Sequence, residues 1–240
     1  MSAYIVLPED IDGDVAFLRG DEHRHLTTSA RVRVGESLRL TDGRGTIYDG
    51  LVDAVTASEA RVRIVARTTR ERESPVAATL AVALLKGRKM EWVLQKATEL
   101  GADAIWPVIS ERSVPRKQAD PAERHEAILR AATKQSERAW LPALRPLADL
   151  AAVLADAGSF PLRLLFHERA AGMDWDRIAS TDAKEVLLLV GPEGGFSDRE
   201  ADAARAAGFI AVGLGPRILR GETAALAALA LVQHRLGDLR

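Results

Sequence analysis

Apolar and polar positions alternate with a period of two early in the chain, in Val32-Arg33-Val34, Leu38-Arg39-Leu40 and Val62-Arg63-Ile64. This predicts short, half-buried β-strands. Asp42-Gly43 and Asp49-Gly50 read as turns between them. A helical interruption is predicted from Asp21 through His25 to about Ala30, with His23 and His25 on its polar surface. Short strands closing around one helix predict a small β-barrel. The charged stretch Thr68–Pro75, ending in proline, reads as a linker.

Beyond Pro75 the period changes. Thr79–Leu85, Ala104–Val108, Leu162–Phe166 and Val186–Val190 are continuous apolar runs of the kind found in parallel strands buried on both faces. Between them lie helical patterns. In Arg88–Leu100, Met90, Val93, Leu94, Ala97 and Leu100 share one face, and Gly101 is placed to stop the helix. Strands alternating with helices predict an α/β domain with a mostly parallel sheet.

Composition narrows the function classes. The chain has 240 residues, enough for two modest domains, and with 47% hydrophobic and 28% charged residues it reads as an ordinary soluble protein. No apolar run reaches membrane-spanning length, and the N-terminal stretch lacks the pattern of a signal peptide. The chain contains no cysteine, which excludes disulfides, thiolate metal sites and a cysteine nucleophile and fits a cytoplasmic location. A net charge of −1 means that any RNA-binding surface is a local patch.

The strongest chemical signal is the strand Glu185–Val190 running into Gly191-Pro192-Glu193-Gly194-Gly195-Phe196-Ser197. Ser197, with Glu200 three residues on, has capping-box spacing for a following helix. Strand, glycine loop and helix N-terminus together can cradle a ligand, because glycines let backbone N–H groups come close. In isolation such a loop is equally readable as a tight strand-to-helix turn. A second signal is Ala211–Arg220 followed by Gly221-Glu222-Thr223 and a helix of small residues from Ala224 to Ala230. No Lys-Ser or Lys-Thr follows the glycine loop, Gly213-Leu214-Gly215 lacks the third glycine of a dinucleotide fingerprint, and no Gly-x-Ser-x-Gly elbow or metal-ligand spacing is present. These absences disfavour a nucleotide hydrolase and predict no metal.

Taken together, GPEGGFS at 191–197 and LGPRILRGETA at 214–224 resemble the paired signatures of the SPOUT-class 16S rRNA uridine-N3 methyltransferases, the RsmE type. Lys86–Glu91, Lys96–Gly101, Glu111-Arg112-Ser113 and Ala132–Arg138 are similar to motifs of the same family. His25-Leu26, Arg31–Glu36 and Asp42-Gly43 resemble its PUA-like barrel. The likeness spans nearly the whole chain in order. One departure is the opening Met1-Ser2-Ala3-Tyr4, where the family often carries an arginine beside aromatics.

The resemblance implies a PUA-like β-barrel RNA-binding domain over 1–72 and a SPOUT methyltransferase domain with a trefoil knot over 73–240. It implies S-adenosyl-L-methionine as cofactor, held by three segments: Leu165, Phe166 and His167; Val190, Gly191, Pro192, Glu193, Gly194 and Gly195; and Leu214, Gly215, Ile218, Leu219 and Arg220. It also implies a homodimer acting on 16S rRNA, within the 30S subunit, with no membrane or metal partner. Uridine N3 carries a proton at neutral pH, so methylation there needs a base or a stabilised uracil anion. Arg220 is the expected anion stabiliser. Glu193 or Glu222 is the expected proton acceptor, provided its pKa is raised. For RNA, Arg130, Lys134 and Arg138 are expected to form one positive helix stripe, and Lys86, Arg88 and Lys89 a cluster beyond a strand end. The rival expectation is a non-catalytic RNA-binding protein with a degenerate cofactor pocket.

Overall fold

The computed structural model describes residues 3–113, 122–170, 178 and 181–240. The chain divides into two compact units, one of the residues up to Glu73 with Arg130–Leu141, the other of Ser74–Leu129 with Pro142–Arg240.

The first unit contains β1 (Tyr4–Ile5), β2 (Ile11–Asp12), β3 (Val15–Arg19), α1 (Gly20–Arg24), a π-helical continuation His25–Ala30, β4 (Ser37–Thr41), β5 (Thr46–Val55) and β6 (Glu59–Thr69). Among the described residues the strands form one sheet ordered β1-β4-β5-β6-β3-β2, antiparallel except for β1 beside β4. Period-two alternation puts Leu38, Leu40, Val52, Val62 and Ile64 into a common core with Leu18 and with Leu26 from the helical segment.

Several expectations change here. Val32–Val34 is not a strand: Arg31, at φ 52°, ends the helical segment in a left-handed turn, and Gly35 turns again at φ 90°. Asp49-Gly50 is no turn but an irregularity inside β5. A Cβ on Gly50 would lie 2.6 Å from Val62 Cγ1, so the glycine permits close strand approach. His23 is buried, with Nε2 3.0 Å from the Thr56 carbonyl, rather than lying on a polar surface. His25 stacks beside Tyr4, its ring centroid 5.5 Å away.

The Thr68–Pro75 stretch is not a free linker either. Thr68 and Thr69 still belong to β6, and Glu73 accepts from the Arg138 guanidinium at 2.6 Å and from the Trp140 N–H at 2.9 Å. The expected stripe of Arg130, Lys134 and Arg138 therefore does not form. Arg138 lies past the end of its helix at Ser136, and its side chain is 5% exposed, paired with a Glu73 side chain that is 7% exposed. Lys134 holds Glu22 at 2.9 Å and sits over the Tyr4 ring. Arg130 alone of the three is exposed.

The second unit contains β7 (Ala77–Ala83), α2 (Lys89–Glu99), β8 (Ala102–Ile109), the first turns of α3 (Ala122–Ser136), β9 (Ala143–Leu144), β10 (Ala148–Asp149), α4 (Leu150–Asp156), β11 (Leu162–Phe166), β12 (Glu185–Val190), α5 (Asp198–Ala206), β13 (Ile210–Val212) and α6 (Gly221–Arg235). Among the described residues its strands run parallel in the order β10-β8-β7-β12-β11-β13, with β9 beside β8. Each continuous apolar run of the sequence is such a strand. On one face Leu187, Leu189 and Leu165 pack with Val153 of α4 and Ala201 and Ala204 of α5. On the other, α6 packs against α2, β7 and β12. Each fully buried leucine contributes about 1.5–3 kcal/mol. Gln233 of α6 is wholly buried yet satisfied: it accepts from Ser74 Oγ at 2.7 Å and donates to the Gly101 carbonyl at 2.8 Å. Among the described residues, no helix is long and apolar enough to cross a membrane.

Candidate functional site

Three neighbouring strands end side by side. Phe166 of β11 is in register with Val190 of β12 and with Val212 of β13, so the loops that follow leave the same carboxyl edge of the sheet. That edge is where an open parallel sheet presents its ligands. The loops enclose a solvent-open cleft of about 240 Å³, a concave site of the kind in which small molecules and cofactors bind.

The glycine loop is built residue by residue. Gly195, at φ 66°, turns the chain and donates its N–H to the Pro192 carbonyl at 2.9 Å. Ser197 caps α5: its hydroxyl accepts the Glu200 N–H while the Glu200 carboxylate accepts the Ser197 N–H, the capping box that the sequence spacing predicts. The segment after β8 braces the loop from outside. Arg112 donates to the Gly194 carbonyl at 2.8 Å, and Glu111 accepts from the Ser197 hydroxyl at 2.9 Å.

The cleft gathers most of the residues expected to hold the cofactor: Phe166, His167, Val190, Gly191, Pro192, Glu193, Gly194, Gly195, Leu214, Gly215, Ile218 and Leu219. Leu165 is not among them. It is fully buried, because alternation along β11 puts its side chain on the face packed by α4 and α5, opposite to Phe166. Arg220 and Glu222 also stand outside the lining. Arg220 is the exposed N-cap of α6, beside the lining residues Leu219 and Gly221. The lining further includes Glu168, Phe196 and Arg217, which belong to the three expected cofactor segments, and Gly221 and Ala224 beyond them. Each lies within or next to a segment the sequence reading singled out, so contiguity with the motif was the available signal. Gly221 has a packing reason to be glycine, since a Cβ there would meet Leu85 Cδ2 at 2.7 Å.

Charge at the cleft differs from expectation. Lys89 does not project as part of a free basic cluster: its ammonium lies 2.9 Å from Glu193 and 3.3 Å from Glu222. Burial alone would raise the Glu193 carboxyl, but Lys89 and the backbone N–H groups of Glu193 and Lys86 outweigh it and hold the group below its ordinary value. A base needs the opposite shift, so Glu193 is ill suited to take a proton. The Glu222 oxygen nearest Lys89 is buried and, among the described residues, makes no hydrogen bond of good geometry despite the short separation. Lys86 and Arg88 are exposed. His167 is buried at the cleft, its Nδ1 accepting from the Arg169 N–H at 3.2 Å and its Nε2 without a hydrogen-bond partner among the described residues. Among the described residues, no group of three or more His, Asp or Glu gathers where it would hold a metal ion.

Comparison with known proteins places this geometry. Residues 72–233 match the RNA methyltransferase domain family and residues 18–65 the RNA methyltransferase PUA domain family. The chain is 33% identical over 235 residues to the ribosomal RNA small subunit methyltransferase E of a Synechocystis species, covering 97% of this chain and 77% of that one. It is 34% identical over 228 residues to the protein of the same name from Mycobacterium tuberculosis, covering 92% and 86%. The crystal structure of a ribosomal RNA small subunit methyltransferase E from Neisseria gonorrhoeae, bound to S-adenosyl methionine, superposes with a TM-score of 0.91 at 35% identity over 100% of both chains. With a PUA domain, a parallel-sheet methyltransferase domain and these relatives along nearly its whole length, the chain belongs to the ribosomal RNA small subunit methyltransferase E family.

Proposed function

We propose that this protein methylates N3 of a uridine in 16S rRNA, acting as a homodimer on the 30S subunit in the cytoplasm. S-adenosylmethionine-dependent methylation of small-subunit rRNA is the activity of the chain; the position on the base, the subunit context and the assembly are the proposal. The observation that carries it is the glycine-lined cleft at three register-aligned strand ends. The cleft fits the cofactor in its lining: Gly191, Gly194, Gly195, Gly215 and Gly221 let a ligand come close to the backbone, beside the apolar Val190, Leu214, Ile218 and Leu219. The intact cleft also disfavours a non-catalytic RNA-binding protein.

Gly191–Gly195, Leu214, Gly215, Ile218 and Leu219 would hold the cofactor, with Phe166 and His167 at its third side. A trefoil knot in this part of the chain belongs to the same reading. When bound, S-adenosylmethionine supplies an electrophilic methyl group on a sulfonium. The chain must place the uridine in line with it and remove the N3 proton, because the neutral imide offers no free electron pair at nitrogen. Arg220, exposed at the start of α6, is suited to stabilise negative charge on a uracil oxygen. Lys89 lies 2.9 Å from Glu193 and 3.3 Å from Glu222, so the same ammonium engages both carboxylates expected to take the proton. Lys86, Arg88 and Arg130 remain the exposed basic residues offered to RNA.

The test is transfer of labelled methyl groups to purified 30S subunits and to free 16S rRNA, followed by nucleoside analysis. The expected product is 3-methyluridine, with 30S preferred over free RNA. A different methylated nucleoside would overturn the uridine assignment, and equal use of both RNAs would overturn the subunit context.

A further inference from the structure

Of the charged groups around the cleft, most are already engaged. Glu193 and Lys89 pair with one another, Arg112 donates to the Gly194 carbonyl, and Arg169 pairs with Asp198. Glu168 differs. It lines the cleft immediately after β11, and no hydrogen bond or ion pair engages its carboxylate among the described residues. Its two oxygens lie 3.1 Å from the point a Cβ on Gly195 would occupy, so the glycine at 195 leaves room for the carboxylate to rest on the loop. A negative charge is thus seated against the glycine loop, with no ion pair or hydrogen bond to its carboxylate among the described residues.

We infer that Glu168 is a specificity-determining residue that favours the sulfonium form of the cofactor over its neutral thioether product, S-adenosylhomocysteine. The inference rests on the cofactor reading given above. The two molecules share an ammonium, a carboxylate and an adenosine. They differ by the methyl group and by one positive charge, because loss of the methyl returns an electron pair to sulfur. An unpaired carboxylate in the cleft stabilises the charged member of the pair by Coulomb attraction and gives the neutral one no such gain. Glu168 is exposed, so solvent and salt screen the attraction and its effect lies at the low end. About fivefold in relative affinity is expected. The consequence is easier release of product after each transfer. Arg217 is the other charged side chain of the lining outside the Lys89 cluster, and its effect on the ratio has the opposite sign.

Calorimetric titration of the full chain with both ligands tests this directly. Glu168→Gln, which keeps size and removes charge, is expected to weaken S-adenosylmethionine binding about fivefold while changing S-adenosylhomocysteine binding less than twofold. Glu168→Asp should retain the wild-type preference. Sinefungin, which bears an amine-substituted carbon in place of the sulfonium, should follow S-adenosylmethionine and so separate charge from the methyl group. In the wild type the preference should shrink as salt is raised, and in Glu168→Gln it should not. Equal weakening of both ligands would overturn the inference, because the carboxylate would then hold the shared ammonium. Unchanged affinities for both would also overturn it, leaving the cofactor reading intact. Failure of the wild type to bind either ligand would defeat the cofactor reading itself, and this inference with it.

Discussion

At the residue scale, the structure sorts charges of similar appearance in the sequence into different roles. Arg138 reads as part of a basic stripe, yet it is buried against Glu73. Removing one partner of such a pair strands the other charge, at a cost of about 3–5 kcal/mol. Arg138→Ala is therefore expected to lower the denaturant midpoint sharply, whereas Arg130→Ala should leave it unchanged; equal midpoints would refute the pairing. Glu193 makes a pH-dependent prediction. Its carboxyl titrates below the ordinary carboxylate value of about 4.3, so the stability it contributes is present above that value and lost as pH falls through the lowered one. Unfolding curves of wild type and Glu193→Gln should differ most above about pH 5 and converge in acid. Arg220 is exposed and lacks any structural partner among the described residues, so its loss should be read in chemistry. Arg220→Ala should lower the single-turnover rate about a hundredfold at saturating substrates. Arg220→Lys should recover only part of that, because an ammonium lacks the guanidinium fork. Normal chemistry with weaker RNA binding would make Arg220 a phosphate contact.

At the scale of elements, what repeats along the chain was legible. Four apolar runs are four parallel strands, the single apolar face of 88–100 is α2, and the Ser197–Glu200 spacing is a real capping box. What depends on contacts distant in sequence was not. Gly50 is glycine because β6 passes too close for a side chain, a requirement that appears only once the strands are paired. Buried His23 and the Glu73–Arg138 pair were hidden for the same reason. The site is legible as loops, but not in which side chains of each loop line the cleft: Leu165 is buried in the sheet core, whereas Glu168 of the same segment lines the cleft. The glycine loop offers two unequal tests. At Gly195 the left-handed φ and the adjacent Glu168 carboxylate make any side chain strained, so loss of function there would mix folding with binding. The nearest atoms to a Cβ at Gly194 belong to the Arg112 side chain, at an ordinary 3.4 Å. Gly194→Val is therefore expected to stay folded and to lose cofactor affinity at least about tenfold, roughly 1.4 kcal/mol, by calorimetry. Wild-type affinity in this variant would count against loop backbone approaching the ligand.

At the scale of the whole molecule, the open question is what covers α6. One side of this helix is accounted for within the chain: Ala225, Ala228, Leu229 and Val232 are buried, and Gln233 is locked to Ser74 and Gly101. Leu226, Ala227, Ala230 and Leu231 are only partly covered, and the adjoining cleft loop carries Ile218, 88% exposed. Single exposed apolar residues are ordinary, but a small-residue helix with apolar positions beyond its own sheet contact has the makings of a close-packed subunit interface. A twofold interface would use the same helix from both copies, so one substitution alters the contact twice. Leu231→Glu places a charge where half-buried apolar surface stands now, and a buried unpaired charge opposes association far more than it disturbs an already half-exposed position. Light scattering at micromolar concentration should give twice the 25.9 kDa chain mass for the wild type and the single-chain mass for a Leu231→Glu variant that still unfolds cooperatively, at a lower midpoint because it lacks the stabilisation of assembly. A wild type that runs as a monomer would remove the homodimer from the proposed function. A dimeric Leu231→Glu would keep the assembly and move its interface away from α6.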